Sequence, residues 1–252
     1  MTALAQNLRA VRARIDAAAR AAGRDPGSVA LLAVSKTWPA DAVRALHALG
    51  QEDFGENRAQ ELLAKVQQLR DLELADLPLR WHFIGQLQRN KAAAVARTGA
   101  VVHSLDRAAL IAPLDRVGQE AGRPVEVFVQ VDLGGPEGDL AARGGADPAE
   151  VPALCDAVAT TAGLRLRGLM AVAPRGVAPG PAFARLAELA ARVRADHPAA
   201  VDVSAGMSGD LEEAVASGAT IVRVGTALFG ERPLPSGEDR VTPVTRVPRA
   251  PA

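Results

Sequence analysis

Apolar residues along this chain follow two rhythms that alternate. The opening stretch, Thr2 to Ala22, spaces its apolar side chains three and four apart on a charged background, which is the period of an amphipathic helix. VALLAVS at 29–35 follows, a short β-rich run that reads as a buried strand ending at Lys36. The exchange then repeats. Helical segments are expected at 39–49, 58–72, 89–97, 107–121, 148–162, 181–196 and 209–217. Strands are expected at 53–55, 80–85, 101–105, 125–133, 164–172, 201–205 and 220–225. The run VEVFVQVDL at 125–133 is the plainest strand, because β-branched and aromatic residues are densest there.

Eight strands separated by helix-sized segments within 252 residues match a (β/α)8 TIM barrel carrying an extra N-terminal helix. A doubly wound open sheet is the second reading, but no GxGxxG follows the first strand. One barrel domain is expected over residues 1–233. Residues 234–252 carry Pro235, Pro243, Pro248 and Pro251 without an apolar period, which predicts a mobile tail.

Composition narrows the class. With 48% hydrophobic and 23% charged residues the chain is globular, and disorder is excluded as its main state. Lys+Arg and Asp+Glu each number 29, so the net charge is zero, and no basic run marks a nucleic-acid partner. No apolar stretch reaches the roughly 20 residues of a membrane span, and the first residues lack the apolar core of a signal peptide. A cytoplasmic protein is expected. The single cysteine, Cys155, excludes internal disulfides and reads as a small core residue within VPALCDAV. No metal is expected, since His47, His103 and His197 have no carboxylate or cysteine at ligand spacing; surface or strand-end positions are expected for them.

Two finer counts bear on chemistry. Tyrosine is absent, so none can act as acid or base. Only three of the 29 basic residues are lysines, Lys36, Lys65 and Lys91, and a lysine closing an apolar strand in so arginine-rich a chain suggests a need for an amine that can lose its proton.

In such barrels the active site lies where the strands end. Lys36 closes the first strand, Glu56 and Asn57 follow the second in FGEN, His82 lies within the third and Asp132 late in the fifth. Ser204, Gly206 and Ser208 follow the seventh in SAGMS, while Arg223, Gly225 and Thr226 close the eighth in RVGT. The loops after strands seven and eight are common phosphate sites. A lysine opposite such loops fits pyridoxal phosphate, whose aldehyde forms a Schiff base with an amine while its phosphate is held elsewhere. From spacing alone, Lys36 could equally snorkel, pair with Glu56 or anchor a phosphate directly. His82, alternating with Trp81 and Phe83, reads as either a mouth residue or a satisfied core histidine. The Gly-rich 134–145 stretch lacks the ending of a P-loop and reads as a flexible connection. The segment 58–72, with Glu61, Lys65, Gln67 and Arg70, reads as a solvated helix face.

The segments AVSKTWP, FGENRAQE, WHFIGQLQRNK, GLMAVAP, SAGMSGDLEEAVASGAT and VRVGTALFG, in series from Val29 to about Gly230, closely resemble the pyridoxal phosphate homeostasis protein family. Its members are single-domain relatives of the alanine racemase N-terminal barrel, a type III pyridoxal-phosphate fold. The resemblance implies that Lys36 carries the Schiff base and that Asn57 and His82 lie near the cofactor. It further implies that Ser204, Gly225 and Thr226 hold the phosphate and that Arg223 faces the pyridine nitrogen. The chain departs from the family pattern after the fifth strand, where Asp132 and Arg143-Gly144 stand in place of an asparagine-ended strand and a Lys-x-Gly loop.

Two functions follow from the resemblance: a protein that buffers or delivers pyridoxal phosphate, or a pyridoxal-phosphate enzyme such as an amino-acid racemase. The first is expected. Racemases of the resembling type use a tyrosine from a second domain, for which this chain offers neither residue nor length. Arg223 would disfavour protonation of the ring nitrogen and so weaken the ring as an electron sink. His82, or a water held by Asn57, is left as the candidate for a second proton transfer. The implied partners are the cofactor itself and apo-forms of pyridoxal-phosphate enzymes, and the expected state is a monomer or weak dimer.

Overall fold

In a computed structural model of the protein, residues 2–71, 79–134 and 144–230 are described. Eight parallel strands close into a barrel in chain order, with β8 pairing back onto β1. The strands are β1 Ala30–Val34, β2 Asp53–Glu56, β3 Arg80–Phe83, β4 Val101–Leu105, β5 Val125–Val131, β6 Leu164–Ala171, β7 Asp202–Ser204 and β8 Ile221–Val224. Around them run α1 Ala3–Ala21, α2 Ala40–His47, α3 Ala59–Asp71, α4 Arg89–Arg97, α5 Ile111–Glu120, α6 Val151–Ala159, α7 Gly180–Asp196, α8 Leu211–Ala216 and α9 Thr226–Phe229. The barrel expected from the alternation is the one found.

Why α1 docks where it does is visible in its period. Leu8, Val11, Ile15, Ala18 and Ala19 are buried in one stripe, and the Thr2 hydroxyl accepts the Ala5 amide at the N-terminus. The stripe packs on α8 and α9 beside the β8–β1 seam. Arg24 Nη1 donates to the carbonyls of Val215 and Ala219 at 2.8 and 2.9 Å, and Arg14 pairs with Glu212. The extra helix thus caps one side of the closure.

The main core lies between strands and helices. A smaller one, Leu32, Phe128, Met170 and Ile221, fills the barrel interior, with Ile84, Val101 and Val172 against it. Gly168 on β6 sits at φ +149° where the β5–β6 register shifts, and a Cβ there would come 1.8 Å from the Asp202 carbonyl oxygen. Only glycine lets β6 approach β7 so closely.

Two segments differ from expectation. The helix expected at 107–121 opens with a 3-10 turn, Ala108–Leu110, before becoming α-helical at Ile111. The short α9 went unseen because about one turn of helix shows no period. The tail expected from 234 and most of the 134–145 stretch, with Arg143, lie outside the described residues. Among the described residues no helix is long and apolar enough to cross a membrane.

Candidate functional site

The strands' C-terminal ends gather the polar groups. Leu32 faces the interior, and the two-residue strand period carries that register through Val34 to Lys36, which is exposed just past the end of β1. Thr37 follows at φ +69°, a left-handed conformation that is strained for a threonine, and its amide donates to Glu61 Oε2 at 3.0 Å. Trp38 stacks on Phe229 of α9 with ring centroids 5.5 Å apart. The lysine-bearing turn is thereby tied both to α3 and to the element that follows β8, where Gly225 is half-buried and Thr226 exposed.

Asn57 lies two residues past Gly55 on the inward register of β2. Its backbone is pressed against Gly85, where a Cβ would come 1.9 Å from the Asn57 carbonyl oxygen, so the β3 loop must carry glycine there. Its side-chain Oδ1 is buried without a hydrogen-bond partner. Such an orphan acceptor costs about 1–3 kcal/mol unless something fills it.

Lys65 overturns an expectation. Far from lying on a solvated face, it is buried, and its Nζ donates to Glu56 Oε1 at 2.5 Å and to the Ser35 carbonyl at 2.7 Å. Ser35 Oγ donates to the same Glu56 oxygen at 2.7 Å, while Glu56 Oε2 has no partner. Burial pushes the Glu56 carboxyl upward, and the bonds from Lys65 and Ser35 oppose it. Glu56 therefore pairs with Lys65 and not with Lys36. The signal was present in the helix period, since Ala59, Leu62 and Leu69 are buried on the face that Lys65 shares.

Below the mouth, the interior is spanned by one line of polar side chains. Arg223 Nη1 donates to the Ser204 carbonyl at 2.6 Å and to Ser204 Oγ at 2.9 Å, and Nη2 donates to the Ala171 carbonyl at 2.7 Å. Ser204 Oγ lies 2.9 Å from His103 Nδ1, His103 Nε2 lies 2.8 Å from His82 Nδ1, and His82 Nε2 lies 3.0 Å from Asp53 Oδ1. His103 stacks on Phe128 at 4.3 Å. Burial, with His82, Arg223 and Arg167 nearby, drives His103 well below the usual imidazole value, so it is neutral at pH 7. Burial likewise lowers Arg223, to about 10, where it still carries its charge at neutral pH.

Placement of the expected site residues is therefore divided. Lys36, Asn57, Gly225 and Thr226 lie just past the C-terminal ends of the adjacent strands β1, β2 and β8. Arg223 sits buried beneath them, and among the described residues its hydrogen bonds use Nη1 and Nη2, leaving the Nε–H available. Ser204 is buried, and its hydroxyl is committed to His103 and Arg223. His82 lies deeper still, with both ring nitrogens engaged. His103 belongs to the assembly although its spacing gave no hint of it, because its partners come from β3 and β7. Asp132 Oδ1 accepts the Gly134 amide at 2.8 Å and Gln130 Nε2 donates to the Gly144 carbonyl at 3.1 Å, so the β5 end is spent on its own loop. Cys155 is buried in the core, where burial pushes its thiol up to about 12.

The chain as a whole is similar to proteins already known. The model of the alanine racemase N-terminal domain family matches residues 6–233. The pyridoxal phosphate homeostasis protein of Pseudomonas aeruginosa is 48% identical over 236 residues, which cover 92% of this chain and 97% of that protein. That of Escherichia coli is 39% identical over 239 residues, 92% of this chain and 98% of that protein. Among solved structures, PipY of Synechococcus elongatus with pyridoxal phosphate bound superposes with a TM-score of 0.76 at 38% identity, covering 90% of this chain and all of that one. An alanine racemase from Corynebacterium glutamicum reaches 0.64 at 18% identity, over 94% of this chain and 65% of that one, which speaks to the barrel fold alone.

Proposed function

Since the chain belongs to the pyridoxal phosphate homeostasis protein family, we propose that it binds pyridoxal 5′-phosphate at the C-terminal mouth of its barrel and buffers or delivers the cofactor. The residues present fit that group. The orphaned Asn57 Oδ1 calls for a donor from a bound molecule, the buried Arg223 offers its Nε–H from below, and the exposed Lys36 follows β1, the strand between theirs.

Bound pyridoxal phosphate supplies an aldehyde that a lysine amine can attack with loss of water, and a ring that draws electrons when its nitrogen is protonated. Lys36 provides the amine, presented by the turn that Glu61 and the Trp38–Phe229 stack hold in place. Gly225 and Thr226, with Gly206 and Ser208 of the neighbouring loop, hold the phosphate through backbone N–H groups and hydroxyls. Ser204 serves that site from below by fixing Arg223, because its own hydroxyl is already engaged. Arg223 has only donors to offer, so a ring nitrogen facing it stays an unprotonated acceptor.

One observation carries the preference for a carrier over an enzyme of broad carbanion chemistry: the buried Arg223 guanidinium, locked by Ser204 and Ala171, keeps the ring a weak electron sink. The acid–base inventory agrees. The chain has no tyrosine, and both nitrogens of His82 are occupied, so neither supplies proton transfer on the face of the ring opposite Lys36. Recipients of the cofactor are apo-forms of pyridoxal-phosphate enzymes in the cytoplasm, met by a monomer or weak dimer of this chain.

Borohydride reduction of the loaded protein followed by peptide mapping tests the lysine. The pyridoxyl group is expected on Lys36, and finding it only on Lys65 or Lys91 overturns the assignment. Mixing the same preparation with an apo-enzyme should restore that enzyme's activity, whereas racemisation of L-alanine at about 1–10³ s⁻¹ would make the protein an enzyme instead.

A further inference from the structure

The line of side chains across the barrel does more than fill it, because its two ends can each play one part only. Arg223 has no acceptor and must donate to Ser204 Oγ. At the other end Asp53 is held ionised: burial pushes its carboxyl upward, but hydrogen bonds from His82 and Arg80 outweigh this and bring it below the usual value. A carboxylate can only accept, so His82 carries its proton on Nε2. Between the two rings, His103 Nε2 donating to His82 Nδ1 is the order that lets His103 Nδ1 take the hydroxyl hydrogen of the buried Ser204. That leaves His103 Nδ1 as the acceptor for the Ser204 hydroxyl. Each of the four links then has one donor and one acceptor, and each bond points from the mouth toward the N-terminal end.

We propose that Ser204, His103, His82 and Asp53 form a positioning chain for Arg223, fixing from the far end of the barrel the guanidinium that faces the cofactor's ring nitrogen. The inference rests on the reading of the mouth as a pyridoxal phosphate site. Arg223 on its own could swing on several rotatable bonds. Its Nη1 is held only because Ser204 offers two acceptor atoms, and Ser204 Oγ keeps one orientation only because its hydrogen is absorbed by His103. His103 in turn cannot flip to its other tautomer while His82 Nδ1 needs a donor. The ring is further clamped by its stack on Phe128. Protonation of His82 on Nδ1 would reverse the order: His103 would then donate from Nδ1, and the Ser204 hydroxyl would lose its acceptor.

The test has an arm that needs no cofactor. Nitrogen-15 NMR of the histidine side chains in the cofactor-free protein at neutral pH should show His82 and His103 both protonated on Nε2; a proton on His103 Nδ1 overturns the proposal. The second arm loads the wild type, His103→Phe, Ser204→Ala and His103→Gln with pyridoxal phosphate. Phenylalanine preserves the stack but has no nitrogen, whereas glutamine keeps one donor and one acceptor. His103→Phe and Ser204→Ala should release the cofactor about ten-fold faster, the low end of what an outer partner contributes, and shift its absorption band. His103→Gln should recover much of both. If His103→Phe fails to fold, Ser204→Ala decides the second arm. Wild-type release and band in every folded truncation variant overturn the chain while leaving the cofactor site intact. A wild type that takes up no pyridoxal phosphate overturns the functional reading itself, and with it the chain's role toward the cofactor.

Discussion

The two ends of the barrel are built on opposite principles. At the N-terminal end charges of the described residues meet opposite ones: Asp53 takes Arg80 at 2.7 Å, and Arg167 reaches Asp202 at 2.6 Å and Glu126 at 3.0 Å. At the C-terminal mouth Lys36 and Thr226 are exposed, Asn57 Oδ1 is buried without a partner, and Thr37 is held in a left-handed conformation. One end has satisfied its polar groups internally, and the other keeps acceptors, donors and backbone strain in reserve for a ligand. The same eight strands serve both, so stability and binding can be altered separately wherever a residue belongs to one end alone.

Lys65 gives the largest expected effect because it belongs to neither end cleanly. It forms the wall behind the lysine-bearing turn, yet its bonds are structural. Lys65→Met leaves Glu56 buried without its cation, and breaking such a pair costs about 3–5 kcal/mol. Urea unfolding should register that loss, and a change below about 1 kcal/mol, the level of an exposed pair, would show the pair to be dispensable. Thr226→Val should do the reverse. Losing one hydrogen bond to a charged phosphate is worth about 1.5–3 kcal/mol, or roughly ten- to a hundred-fold in cofactor affinity, with the unfolding midpoint unchanged. Arg167→Leu addresses the closed end. It should lower stability by about 1–3 kcal/mol through the orphaned Asp202 and Glu126, and leave the cofactor's absorption band where it was. A shifted band would mean that the two ends are coupled beyond the single polar line.

The same division explains what could be read from the chain itself. Strand and helix order was legible because it is written locally, as runs such as VEVFVQV set against three-four spacing. The position of the candidates was legible because barrels place chemistry at strand ends, and Lys36, Asn57 and Thr226 do follow the ends of β1, β2 and β8. His103 was not, because its significance lies in meeting His82 from β3 and Ser204 from β7 across the barrel, and no local spacing encodes that encounter. For the same reason Ser204 could be placed at the right level, while its bonds to His103 and Arg223 could not be read. Lys65 is a different failure. Its place in the Ala59, Leu62, Leu69 stripe is written in the helix period, while its charge points the other way, to solvent.

The smallest effect is the one that separates the buried line from everything else that titrates. His103 is driven well below its ordinary value of 6.5 by burial and by the neighbouring cations, so the folded chain refuses a proton that the unfolded chain accepts. The sign follows: its contribution to stability is complete above about pH 6.5 and is lost as the pH falls from there toward the folded value, at up to about 1.4 kcal/mol per pH unit. Glu56 works against this. Its raised carboxyl takes up a proton in the folded state before the unfolded one does, which adds stability as the pH approaches 4.5. Asp53, lowered from 3.8, gives stability that persists above that value and disappears below it. The three windows differ, so the pH dependence of urea unfolding, taken for the wild type and for His103→Gln, isolates the first by subtraction. Between pH 6.5 and 5 the wild type should lose stability more steeply than the variant. Parallel curves through the upper window would mean that His103 takes up its proton in the folded barrel as readily as in the unfolded chain, and the one-way order of hydrogen bonds from Arg223 to Asp53 would then have no fixed direction.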